Sequence, residues 1–232
     1  LLDMAAIGSV ADMVPLLGEN RTLVKYGLIV MKKTQRAGLR ALLNLRPARS
    51  FNGSPVDGEI TSETIAFSIA PRINATSRLA HATVSFELLI ADDEERVERF
   101  AREVEGLNNG RRKAVDQILK EAAILIENEI EAAGELPLII FIGRDEWPVG
   151  VVGLVAGRLS ERYGRPAFVY GRANSHAKGS CRGIGGFNVV EAMRFCQNKE
   201  PYLFMEFGGH SAAGGFAIAL DKLARFKKYL LV

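Results

Sequence analysis

The sequence predicts an α/β protein, and three observations carry that expectation. Residues 136–220 alternate short apolar runs with helical patterns, the mark of a small α/β unit. Residues 91–133 hold the clearest helical periodicity in the chain. Residues 1–95 are mixed in texture, with short apolar helices around a loop.

Taken in order, residues 22–33 read as a helix, with Leu23, Gly27, Leu28 and Met31 on or near one face. Gly38–Leu43 starts another, and a Gly-, Pro- and Ser-containing loop follows around Pro47–Gly58. Pro71, Asn74 and Ser77 suit a loop ending at a helix start. In the long helical zone, Val97, Phe100, Val104 and Leu107 recur at helical spacing. Val115, Ile118, Leu119, Ala122, Leu125 and Ile126 continue the stripe, opposite a face of Glu, Arg and Lys. Asp92, Asp93, Glu94 and Glu95 suit its first turn, where negative charge complements the macrodipole. A kink is expected at Asn108-Asn109-Gly110 and an end at Gly134 and Pro137. Strands are then expected at Leu136–Ile142, Pro166–Tyr170, Lys178–Arg182 and Gly214–Leu220, with helices at Val149–Tyr163 and Val189–Gln197.

Composition narrows the function classes. With 232 residues and 48% hydrophobic content, the chain can build one large core or two modest ones. No apolar run approaches the roughly 20 residues a transmembrane helix needs, so no membrane partner is expected. A net charge of +3 permits an anionic partner without demanding one. Cys181 and Cys196 fit no zinc spacing and make no disulfide framework, which points to a reduced, cytoplasmic setting. The first residues show neither an initiating Met nor a signal peptide, so the chain is expected to be an internal piece of a longer protein.

Five segments hold candidate chemistry. In Phe207–Phe216, paired glycines allow close backbone approach, and Gly208, Gly209 and His210 either form an anion site with a donor or acid–base imidazole, or make a tight turn. In Lys178–Gly183, Ser180 and Arg182 share one strand face. They are either a phosphate clamp or an exposed surface pair. Arg72 and Arg78 could form one phosphate-binding wall or be two solvated arginines. Asp12 is a lone carboxylate in an apolar stretch, suited to a divalent metal, to capping the next helix or to pairing with a base such as Arg21. Around Trp147, Gly150 and Gly153 flank a helix start. They loosely suggest a phosphate-binding turn, but close helix packing explains them as well, and no nucleotide fingerprint is present. Trp147 itself suits either base stacking or packing.

In this order and at these separations the segments LDMAAIGSVADMVPLLGENRTLV, APRINATSRL, LNNGRR, EWPVGVVGLVAGRL, KGSCRG and FGGHSAAGGF resemble the RecJ branch of the DHH phosphoesterase superfamily, from Leu1 to the end. The resemblance implies the C-terminal end of a DHH lobe at 1–90, a connecting helix at 91–133, and a smaller mixed-sheet DHH-associated domain at 134–232. It implies a hydrolase of DNA repair and recombination that digests single-stranded DNA from a 5′-phosphorylated end, with manganese or magnesium in a two-metal site. Carried over, Asp12 is the metal ligand, Arg78, Ser180 and Arg182 hold the 5′-phosphate, and Gly208, Gly209 and the catalytic His210 close the site. Asp3 is expected to be structural.

The chain departs from that pattern in having no Asp-x-Asp and no Asp-His-His motif; its histidines are His81, His176 and His210. One carboxylate cannot organise two metals, so the isolated chain is expected to hold DNA without cutting it. The alternatives are a phosphodiesterase of the same superfamily acting on oligonucleotides or cyclic dinucleotides, and a non-catalytic DNA-binding scaffold of this fold.

Overall fold

The computed structural model describes residues 1–45 and 59–231. The expected loop around Pro47–Gly58 lies outside them. The chain divides into two compact units, Leu1–Arg111 and Arg112–Val232.

The first unit is helical. Helices α1 (Leu2–Ala11) and α2 (Gly18–Met31) pack closely, because α2 presents a glycine to α1. A methyl group at Gly27 would stand 2.4 Å from the Leu2 carbonyl oxygen. Leu23, expected on the packed face, is instead exposed, and Val24, Gly27 and Met31 face inward. Helix α3 (Ala37–Asn44) follows, then a short α4 (Ser62–Thr64) that runs through a π-helical turn, Ile65–Ile69, into α5 (Ala70–Leu79). Thr61 and Thr64 form a reciprocal capping box at the start of this run. Residues 70–79 are therefore helix and not the expected loop. Pro71 sits in the first turn of α5, where its missing N–H costs little. Helix α6 (Thr83–Ile90) leads to α7 (Glu94–Ala133). The core joins Ile65 and Ile69 with Leu39, Leu42, Leu88, Val97 and Val104.

Helix α7 is one uninterrupted element of 40 residues, shared between the two units. Asp93 Oδ1 accepts the Arg96 N–H at 2.8 Å and caps its start. Gly134, at φ 79°, ends it as a left-handed residue. The helix runs unbroken through Asn108–Gly110, where a kink is expected. The periodicity of buried positions continues through it, from Val104 to Val115.

The second unit is built on a five-stranded mixed sheet. Its strands are β1 (Ile140–Gly143), β2 (Ala167–Ala173), β3 (His176–Arg182), β4 (Phe204–His210) and β5 (Ala213–Ala219), in the order β1-β2-β3-β5-β4. Only β1 and β2 run parallel; β2–β3, β3–β5 and β5–β4 are antiparallel. The parallel pair needs a crossover, which α8 (Val152–Tyr163) supplies. Gly164, at φ 61°, stops α8. Helix α9 (Val189–Lys199) is capped by Asn188, whose side-chain oxygen accepts the N–H groups of Val190 and Glu191. Helix α10 (Leu223–Leu230) closes the chain. Phe226 of α10 is fully buried and meets Phe141, Phe168, Phe204 and Phe216 edge-on.

Strand β4 was not expected. Its sequence, FMEFGGH, ends in residues read as a turn, and the actual turn is Ser211-Ala212 between β4 and β5. Strand β1 starts later than expected, since Leu136–Ile139 lie outside the sheet.

Candidate phosphate-binding site

Side chains alternate along β3. Cys181 points into the core with Met193 and Cys196, which leaves Ser180 and Arg182 on the opposite face, both half-buried. The first turn of α8 covers that face. A methyl group at Gly153 would stand 3.1 Å from Ser180 Oγ and 3.8 Å from a terminal nitrogen of Arg182. The glycine thus lets the helix start approach the hydroxyl and the guanidinium together. The N-cap of α8 is Val151, which offers no side-chain cap, and no acidic residue occupies the first turn. The positive dipole end of α8 therefore lies against Ser180 and Arg182 in one place.

Arg182 donates through Nη1 to the Cys181 carbonyl at 2.9 Å. This bond steadies the guanidinium and uses one of its five donors. Ser180 Oγ makes no hydrogen bond among the described residues.

The sheet register extends the site toward the Gly-Gly-His segment. Arg182 pairs with Ala213, and Ala213 pairs with His210; Ser180 pairs with Gly215, and Gly215 pairs with Gly208. Each trio forms one row across three strands, about 10 Å wide at ordinary strand spacing. Glycine and alanine occupy the middle, so the floor between Arg182 and His210 carries at most a methyl group. Gly209, at φ 138°, needs to be glycine, and a methyl group there would stand 2.4 Å from the Ala213 carbonyl oxygen. His210 is exposed at the end of β4. The arrangement can bind an anion with a fork of N–H donors, a hydroxyl, backbone amides and an exposed imidazole.

In the first unit, the two arginines of α5 part company. Arg72 is 3% exposed and does not face solvent as part of a phosphate wall. Its Nε donates to Glu105 at 2.6 Å, and its other nitrogens donate to the Ser68 and Leu45 carbonyls. Six helical positions separate Arg78 from it, so the two point about 120° apart. Arg78 is half-buried near the end of α5.

Asp12 is exposed and follows α1 as its C-terminal cap. It neither caps α2, whose N-cap Leu17 has no side-chain bond, nor pairs with Arg21 among the described residues. A carboxylate at a helix C-terminus meets the negative end of the dipole, which a bound cation would offset. Asp3, by contrast, is buried and held by the Met4 N–H, Thr34 and Arg36. Burial pushes its carboxyl up, but the Met4 N–H and the Arg36 guanidinium outweigh that and hold it below the ordinary carboxylate value.

Trp147 is only 3% exposed, and its indole N–H donates to Glu121 at 2.7 Å. Burial excludes it from stacking on a base. That bond, with one from Gln117, lowers the Glu121 carboxyl. No signal in the sequence placed Gly153 or Gly215 beside Ser180, because the contacts join α8, β3 and β5 across long stretches of chain.

A DHHA1 domain is recognised over residues 135–231. Over 232 residues the chain is 37% identical to the single-stranded-DNA-specific exonuclease RecJ of Bacillus subtilis, a match covering 99% of this chain and 28% of that protein. It is 34% identical over 225 residues to the Thermus thermophilus protein of the same name, covering 97% of this chain and 30% of that protein. The crystal structure of Thermus thermophilus RecJ in complex with Mn2+ superposes with a TM-score of 0.82 at 33% identity, covering 99% of this chain and 32% of that one. The chain thus spans about a third of the length of these relatives. Over almost its whole length the chain is thus similar to part of these RecJ proteins, and residues 135–231 match the DHHA1 domain.

Proposed function

We propose that this chain is the phosphate-gripping part of a metal-dependent exonuclease that hydrolyses single-stranded DNA from its 5′ end. The observation that carries the proposal is the convergence of Ser180, Arg182 and the start of α8 at Gly153. A terminal phosphate carries more charge than an internal phosphodiester and more free oxygens. A planar guanidinium fork, a hydroxyl and helix-end amides suit it. Holding the terminal phosphate at a fixed point would set the distance from the strand end to the cut, and so the polarity of digestion. His210, in the same row as Arg182, faces the low floor of Ala213 and serves as a hydrogen-bond donor or proton carrier at the phosphate. Gly208, in the row of Ser180, keeps that floor open, and Gly209 supplies the positive-φ backbone next to His210. Arg78 is proposed as a nucleic-acid contact of the first unit.

The domain boundaries proposed are 1–90 for the end of the DHH lobe, 91–133 for the connecting helix and 134–232 for the DHH-associated domain. The proposed setting is the cytoplasm, where Cys181 and Cys196, both free and buried, stay reduced. No helix among the described residues is long and apolar enough to cross a membrane.

The metal would be Mn2+ or Mg2+, with Asp12 as one ligand. Among the described residues no three His, Cys, Asp or Glu side chains cluster to hold an ion. The residues described therefore do not by themselves fit a two-metal centre, and the chain's own part is binding and orientation.

The test compares binding of 5′-phosphorylated and 5′-hydroxyl deoxythymidine oligonucleotides to the chain by fluorescence anisotropy. The phosphorylated strand is expected to bind about tenfold more tightly, the loss of one charge-assisted contact being worth roughly 1.5 kcal/mol. Arg182→Ala should erase the difference. Equal affinity for both ends in the unaltered chain would overturn the proposal. In a manganese-containing nuclease assay the same chain should bind without digesting; robust 5′-directed digestion would refute that part.

A further inference from the structure

The buried face of α7 is apolar on both sides of one interruption. Val97 and Val104 precede it, and Val115, Ile118, Ala122 and Ile126 follow, all buried. At 3.6 residues per turn, position 108 continues this stripe. The residue there is Asn108, and it is 0% exposed. Its Oδ1 accepts a hydrogen bond from Arg111 Nη2 at 3.0 Å, one turn along the helix. Its Nδ2 has no acceptor among the described residues. An apolar side chain would fill the stripe without leaving a buried donor unsatisfied, so helix packing alone does not account for an amide at this position.

The surroundings indicate what Asn108 serves. Arg111 is half-buried and is followed by exposed Arg112 and Lys113. Gly110 faces the end of α5, where a methyl group added to it would stand 3.6 Å from Leu79 Cδ1. Arg78 is the residue next to Leu79. Arg111 is next to Gly110. The contact therefore brings the end of α5, next to Arg78, against the stretch of α7 that carries Arg111, within the first unit.

We propose that Asn108 is a positioning residue that fixes the Arg111 guanidinium beside the Arg78 end of α5, where the two arginines hold an internal phosphodiester of single-stranded nucleic acid. The inference rests on the nucleic-acid function proposed above and adds a contact distinct from the 5′-terminal phosphate. Asn108 does not touch the strand. It acts through Arg111, whose rotamer it restricts.

The test uses the chain with Asn108→Leu, Arg111→Gln and both together. Binding of a 5′-hydroxyl deoxythymidine oligonucleotide is measured by anisotropy across a salt series. Each single variant is expected to weaken binding about tenfold and to reduce the slope of log K against log salt by about one, since one phosphate contact is lost. The double variant should bind no worse than Arg111→Gln, because both changes remove the same contact. Asn108→Leu should unfold at the same temperature as the unaltered chain or higher, a result a purely structural asparagine would not give. An unchanged salt slope in Arg111→Gln would overturn the inference, whatever Asn108→Leu does to folding. So would additive losses in the double variant. If Arg182→Ala still abolishes the preference for a 5′-phosphate while Arg111→Gln changes nothing, the phosphate clamp stands and this inference falls. If the unaltered chain binds no single strand, both fall together.

Discussion

Gly153 of α8 stands so close to Ser180 of β3 that a methyl group on the glycine would lie 3.1 Å from the serine hydroxyl oxygen. That separation is tighter than ordinary van der Waals contact. It makes the glycine's lack of a side chain a requirement of the site and not of the helix, since glycine is a poor helix former.

Gly153→Ala is therefore expected to separate stability from binding. Alanine raises helix propensity by about 1 kcal/mol, so the melting temperature should hold or rise. The added methyl group should displace Ser180 and lower the preference for 5′-phosphorylated over 5′-hydroxyl DNA severalfold. Gly157→Ala is the control, because a methyl group there meets nothing within 4 Å. Parallel loss of phosphate preference in both variants would show that α8 affects binding by some route other than this contact.

Arg72→Met should destabilise the first unit by roughly 3 kcal/mol, the order expected when one partner of a buried ion pair is removed. It leaves Glu105 without its guanidinium and the Leu45 and Ser68 carbonyls without their donor. Urea unfolding should show a lower midpoint at unchanged slope. The variant's preference for a 5′-phosphate should not change, because Arg72 faces the core. A change in that preference with normal stability would return Arg72 to the DNA-binding surface.

The Asp3 carboxyl is held below its ordinary value in the folded chain. The unfolded chain therefore binds more protons in the acid range, and stability rises with pH there. Its contribution is fully present above the ordinary carboxylate value and is lost as pH falls through the lower, folded value. Asp3→Asn should flatten the acid limb of the stability–pH curve and lower stability near neutrality. An acid limb identical to that of the unaltered chain would show that Asp3 contributes nothing.

Burial pushes the Cys181 thiol up to about 12 and the Cys196 thiol up to about 11. Both are therefore almost wholly protonated near neutrality, and the thiolate is the reactive form. Reaction with a soluble disulfide reagent should track global unfolding and speed up sharply in urea. Fast labelling of the native chain at neutral pH would contradict this.

Much of the fold was legible because it is written in local periodicity. The stripe from Val97 to Ile126 announces α7, and the acidic residues before it and Gly134 after it mark its ends by capping chemistry. Strands β2, β3 and β5 were visible as short strand segments between turns and helices. Strand β4 was not, because Gly208 and Gly209 are poor strand formers and the strand is held by pairing with β5, a partner no local window contains. The segment from Ala70 to Leu79 was misread for a similar reason. Pro71, Asn74 and Ser77 are turn residues in isolation, yet Pro71 falls in a first turn that tolerates it, and buried Ala75 and Thr76 anchor the helix.

The candidate site was legible as residue types and illegible as an arrangement. Alternation along a strand placed Ser180 and Arg182 on one face from spacing alone. By itself the sequence determined the α/β class, the long helix, the turn-forming glycines and the family resemblance, because those properties reside in neighbouring residues and their order. Only the tertiary structure decided that Arg72 is buried against Glu105 while Arg78 is not, that Trp147 bonds Glu121 in the interior, and that Gly153 brings a helix end to Ser180 and Arg182. Those outcomes depend on which atoms desolvate each other across distant stretches of chain, and burial and close approach are properties of the packed structure that no local pattern encodes.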